Sequence, residues 1–185
     1  LERTPFMFTD GFDFWKLYRQ AVEDGFKETE EAVKTAEIDQ ASKDQHLAGV
    51  EASRQSFKAL FDEKEYAQLQ SQNQWRLSHK ALQAALFVLL YRDEPILQLP
   101  FRLLNDLLTI DENFTHWRQR HALMAHRMLG AKMGTGGSAG HKYLAAAADK
   151  HKVFSDLFNL STFLIPKSQL PPLPKEVQKK LGFNY

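Results

Sequence analysis

"DENFTHWRQRHALMAHRMLG", residues 111–130, carries a helix signal in every turn. Phe114, Trp117, Met124 and Met128 recur at steps of three and four, and His121 fills the gap in the series. One helical face therefore reads Phe, Trp, His, Met, Met. His116 and His126 lie five residues to either side of His121, rotated from it by roughly 140° at 3.6 residues per turn. They cannot share its surroundings, so the geometry singles out His121. No segment of the chain alternates with period two for long enough to build a sheet. The fold is expected to be all-α.

The same periodicity extends outward in both directions. Trp15, Tyr18, Val22, Phe26 and Val33 mark one amphipathic helix, and Leu47, Val50, Phe57, Leu60 and Phe61 mark a second. Together they form an antiparallel helical hairpin with one apolar seam, appended to the main body within residues 1–75. Its many charges belong to a solvated face. "RLSHKALQAALFVLLYRDEP", residues 76–95, is apolar nearly all round from Ala81 to Leu90, which predicts a buried helix stopped by Pro95. "PFRLLNDLLTI" opens at Pro100 as a short helix, and Asp111 is the expected cap of the next, Glu112 to Leu129. A last helix is expected over Lys150 to Leu164. The proline-rich tail beyond Pro166 is expected to pack on the surface. Residues 76–185 thus make up a second region of helices and tail.

Composition bounds the function. The 185 residues suit one domain with an appendage, and 14 phenylalanines argue against disorder. Lys and Arg number 24 against 23 Asp and Glu, which leaves no basic surplus for nucleic acid or anionic lipid. There are no cysteines, which excludes disulfides and thiolate zinc sites. The longest apolar run, Ala84 to Tyr91, is too short to span a bilayer, and a cytoplasmic protein is expected. The opening "LERTPFMF" has no initiator methionine and reads like the middle of a longer polypeptide.

Two features carry chemistry. The first is His121 in its aromatic and methionine stripe. One possibility is a core histidine satisfied by a backbone carbonyl. The other is a single axial ligand, because a lone imidazole cannot build a zinc site but does suit haem, whose porphyrin already supplies four nitrogens. Arg118, Arg120, Arg127 and Lys132 are the cations near in sequence for its propionates. The second feature is "GAKMGTGGSAGHK", residues 130–142, where five of the nine glycines fall within eleven residues. Gly134 to Ala139 match G-x-G-x-x-A, but the dinucleotide fingerprint must follow a strand, and this one follows a helix. What remains is a turn of successive backbone amides with the hydroxyls of Thr135 and Ser138, able to hold a carboxylate or a phosphate. A nucleotide-binding protein using this loop, and a non-catalytic helical scaffold, are the competing functions.

"WRQRHALMAHRMLGAKMGTGGSAGHKYL" followed by "KVFSDLFNLSTFLIP" resembles the C-terminal half of the tryptophan 2,3-dioxygenase family. "LERTP", "LFDEKEY" and "RLSHKALQAAL...YRDEP" are similar to its eukaryotic members, so the likeness runs from Leu1 to about Pro172. Its most specific parts are W-R-x-x-H-x-x-M and G-T-G-G-S, in that order; Ala139 stands where the family usually has serine. The resemblance implies an all-helical haem-binding bundle and a homotetramer. It also implies a haem-dependent enzyme that opens the indole ring of L-tryptophan with O2 to give N-formylkynurenine. It makes His121 the axial ligand of the haem iron, with Trp117 beside it. Thr135 and the backbone of Gly134, Gly136 and Gly137 would close over the amino-acid head group. Indole N–H and the outer N–H of an iron-bound imidazole are both donors, so Trp117 would act by packing or through a bridging water. The family's distal histidine and carboxylate-binding arginine belong to its N-terminal half. No residue of this chain matches them, no catalytic residue is assigned, and activity would need that half as a partner.

Overall fold

The computed structural model describes residues 8–9, 12–130, 143–144, 146 and 152–182. Among the described residues the chain is all-α apart from one short antiparallel pair, Phe8–Thr9 with Phe12–Asp13, where no strand was expected. Two residues per strand are too few to leave a period-two signal. Asp13 ends this pair and caps α1, Phe14–Thr35, by accepting from the Lys16 amide at 3.1 Å. Helix α2, Gln40–Phe61, is capped by Asp39, which accepts from both the amide and the hydroxyl of Ser42. These are the two helices of the expected hairpin. Helix α3, Glu63–Ser71, and α4, His79–Leu90, follow, capped by Asp62 and Ser78.

Two compact units are formed, residues 1–101 with 159–185, and residues 102–158. In the first, α4 buries Leu82, Ala84, Ala85, Leu86, Phe87 and Val88, as its all-round apolar sequence requires. Phe87 meets Phe14 edge to face with ring centroids 4.9 Å apart, and Phe14 stacks on Tyr18 at 5.6 Å. The base of the hairpin is therefore part of a packed core. Its outer half is solvated and held by Arg54, which reaches Glu30 at 2.7 Å and Glu51 at 2.9 Å and lies over the Phe26 ring.

The tail departs from expectation. Beyond Pro166 it forms helix α7, Lys175–Leu181, with Val177 and Leu181 fully enclosed, and Leu173 is buried as well. Proline signals end helices but do not report burial, and the Val177–Leu181 spacing of four is the apolar stripe of a short helix. The Tyr91 hydroxyl donates to the Pro171 carbonyl at 2.6 Å, and the Tyr18 hydroxyl donates to the Phe163 carbonyl.

In the second unit the largest correction concerns Asp111. The expected short helix from Pro100 and the expected helix from Glu112 are one continuous helix, α5, Gln98–Leu129. A 3-10 turn at Pro95–Leu97 leads directly into it. Pro100 sits in the first turn, where its missing N–H costs nothing. No glycine or proline follows until Gly130, so nothing breaks the helix. Asp111 lies inside it, 2% exposed, and its carboxylate accepts from the amides of Val153 and Phe154 instead of capping its own helix. Those amides precede α6, Ser155–Asn159, which continues as a 3-10 turn at Leu160–Phe163. The last helix thus begins later than the expected Lys150, which lies outside the described residues.

Candidate functional site

Helix α5 has two apolar sides of different character. Leu104, Asp111 and Ala122 are its buried residues, spaced seven and eleven apart and so on one face. The stripe read from the sequence lies on another face. Phe114 is 54% exposed, Trp117 60%, Met124 53% and Met128 77%, and only His121 among them is half-buried. The stripe continues towards the start of the helix through Leu103 and Ile110, both exposed. Monomeric soluble proteins rarely leave so long an apolar face in water, and such faces mark ligand or partner surfaces.

His121 stands in the middle of this face. Its ring packs against that of Trp117 with centroids 5.5 Å apart and planes tilted by 33°. The contact is ring against ring, the packing relation that the donor-only chemistry of both N–H groups allows. Two shallow recesses flank the pair. One, towards the helix start, is lined by Ile110, Asn113, Phe114 and Trp117. The other, towards its end, is lined by Leu123, Met124 and Met128 with Arg120 and Arg127. Of the cations close in sequence, Arg120 and Arg127 therefore border the methionine surface, while Arg118 lies over the Phe114 ring at 5.8 Å.

Among the described residues no three His, Cys, Asp or Glu side chains come together as a metal-ligand set. A lone imidazole on an apolar face, with guanidiniums at its border, instead matches the needs of a flat, largely apolar macrocycle with anionic edges that brings its own equatorial donors. Thr135, Gly134, Gly136 and Gly137 lie outside the described residues, as does Lys132. Gly130, the residue that opens their segment, is described. It adopts φ +62° and its amide donates to the His126 carbonyl at 2.8 Å, ending α5 in the left-handed conformation that glycine accepts without strain.

Asp111 is the residue that sequence reasoning misplaced. A buried Asp in mid-helix leaves one faint trace, a charged side chain in register with the inward Leu104 and Ala122. The partner amides are 42 and 43 residues away and leave no pattern at all.

By class this is an all-α protein, with one imidazole set in the exposed aromatic and methionine face of α5. The family model of tryptophan 2,3-dioxygenase matches residues 1–164, and the chain belongs to that family. Tryptophan 2,3-dioxygenase of Bdellovibrio bacteriovorus is 53% identical over the whole of this chain and 52% of its own length. The enzymes of that name from Alteromonas mediterranea and Dictyostelium discoideum are each 44% identical, over 51% and 47% of their lengths. The chain spans about half the length of the curated relatives it matches.

Proposed function

We propose that this chain is the haem-binding half of an enzyme that opens the indole ring of L-tryptophan with O2, giving N-formylkynurenine. The observation that carries the proposal is His121, half-buried at the centre of the exposed α5 stripe, in a chain of this family. Haem, when bound, supplies the oxygen chemistry, and both atoms of O2 enter the product across the indole C2–C3 bond. His121 would hold the iron through one ring nitrogen. Trp117, packed on the same imidazole, keeps the ring oriented and dry and so tunes its basicity. Met124 and Met128 offer a soft apolar floor that adapts to a flat ring. Arg120 and Arg127 border that floor and would take the propionates.

Thr135 and the amides of Gly134, Gly136 and Gly137 would hold the tryptophan head group, with the Thr135 hydroxyl and the backbone N–H groups suited to its carboxylate. They orient the substrate and exclude water; the distal groups would come from the remaining half of the polypeptide, which completes the site. The assembled protein is a cytoplasmic homotetramer, and the solvated outer half of the hairpin α1–α2 lies apart from the haem-binding residues in sequence. Among the described residues no helix is long and apolar enough to cross a membrane.

The test is a visible spectrum of the complete protein with its His121→Ala and His126→Ala variants. A Soret band lost in the first and kept in the second is expected. Retention in His121→Ala with loss in His126→Ala overturns the choice of ligand. A colourless protein that a nucleotide protects against heat overturns the function.

A further inference from the structure

We propose that the front of the exposed α5 face, formed by Leu103, Leu107, Ile110 and Phe114, is the seat of a second amphipathic helix, supplied by the remaining half of the polypeptide. The division of the face into a front and a rear rests on the haem reading above, whereas the seat itself rests on the geometry of α5.

Two columns of side chains run next to each other along α5. Leu103, Ile110, Trp117 and Met124 stand seven apart, and so do Leu107, Phe114, His121 and Met128. Interleaved, they step by four and three without a break, the repeat of a coiled-coil seam, over about 38 Å of helix. A helix on a protein surface has one apolar face, turned inward. In α5 that face holds Leu104, Asp111 and Ala122, and a polar face carries Asn105, Glu112, Gln119 and His126, all exposed. The seam is a third face: Leu103 is 57% exposed and Ile110 47%, with Leu107 half-buried at its inner border. The recess lined by Ile110, Asn113, Phe114 and Trp117 has its members at i, i+3, i+4 and i+7. Four residues so placed form the hole that takes one side-chain knob of a facing helix.

The rear of the seam, from Trp117 to Met128, is the face assigned to haem. A macrocycle centred on His121 leaves the front open, about 17 Å or three turns from Leu103 to Phe114, which is the contact length of a short helix. The curated relatives carry about as much chain again outside the part matched here, so the length needed for that helix is at hand. A second copy of α5 fits the front poorly. Laid parallel, it would set the two iron ligands against each other. Laid antiparallel, it would turn its inward flank, Leu104 and Asp111, towards the same flank of the first, and both flanks already carry protein. A helix of the remaining half, held to the front, leaves the rear to the cofactor. The open flank of the seam carries Asp106 at the front and Arg120 and Arg127 at the rear. The occupant therefore presents an apolar stripe with a cation opposite Asp106.

The experiment uses the complete, haem-loaded protein. Ile110→Cys stands on the seam and Thr109→Cys beside it on the outer side; both positions are exposed in this chain, which has no cysteine of its own. The thiol of Ile110→Cys should react with a maleimide at least about tenfold more slowly than that of Thr109→Cys, the labelled peptides being identified by mass. Ile110→Ala supplies a second measurement. At an open helix position alanine is as good as isoleucine or better, whereas in a packed seam the truncation leaves a cavity, and Tm should fall by several degrees. A photo-crosslinker placed at position 110 should join to a peptide of the remaining half, with the product at monomer mass. Equal labelling rates, a Tm at or above the parent's, or a crosslinked product of twice the monomer mass each overturns the inference, the last by giving the seat to a second copy. Slow labelling of Ile110→Cys in a protein that shows no Soret band overturns the haem reading and supports the seat, so the two failures are told apart.

Discussion

Tyr18 and Tyr91 set the alkaline limit of the first unit. Burial pushes the Tyr18 phenol up, helped by Tyr91, and burial pushes Tyr91 up, helped by the charge of Glu94. Each hydroxyl donates to a backbone carbonyl, which only the protonated form can do. A phenol with the higher pKa in the folded state keeps its proton after the unfolded chain has lost its own. The linked stability is therefore complete below about pH 10 and is lost as pH rises above it. Thermal unfolding followed against pH should show Tm falling from about pH 10 upward. The Tyr18→Phe, Tyr91→Phe double variant should be less stable near neutrality by about 1 kcal/mol per lost bond, yet show a flatter alkaline fall. Parallel curves for variant and parent would remove the phenols as the cause. At this scale the place of His121 within the α5 stripe was legible, because its neighbours at three and four residues are fixed by the helix alone. Asp111 was not. Its residue type says cap, and which amides it caps depends on a segment 42 residues away.

Among the elements, α5 and the hairpin invite measurement. Gly130 stands at φ +62° with nothing within 4 Å of the place a Cβ would occupy, so Gly130→Ala meets strain but no clash. It should cost about 1 kcal/mol and lower Tm by a few degrees, with Gly130→Asn milder. Equal stability of all three would show that α5 does not depend on this ending. On the hairpin, Arg54 binds Glu30, Glu51 and Glu23 and covers Phe26. Arg54→Met should lower Tm in dilute buffer, and the difference should shrink at about 1 M salt, where exposed charges are screened within about 3 Å. A difference independent of salt would assign the effect to packing on Phe26. Element existence was readable here, and element boundaries less so. The apolar period identified α1, α2, α4 and the second half of α5, since each depends on neighbours within two turns. The break expected before Glu112 was absent because a capping residue ends a helix only when its carboxylate is spent on that helix.

The molecule as a whole keeps a long apolar face in water, from Leu103 through Ile110, Phe114 and Trp117 to Met124 and Met128. Its relatives are about twice as long. The 185-residue chain by itself should bind a hydrophobic dye strongly and aggregate as concentration rises, and the complete haem-loaded protein should bind the dye weakly and keep one defined assembly size. Weak dye binding by the chain alone would mean that the face is covered from within. What the sequence determined by itself is everything set by short-range repetition: helices instead of sheet, the all-round burial of α4, the single histidine in the α5 stripe, and the motifs that carry the family. Only the tertiary structure decided which face of α5 is buried, that the tail supplies Val177 and Leu181 to the core, and that Asp111 holds a distant backbone. The reason is physical. Periodicity is a property of one helix and its own side chains, whereas burial and capping are settled by whatever donors and surfaces the rest of the chain brings within reach.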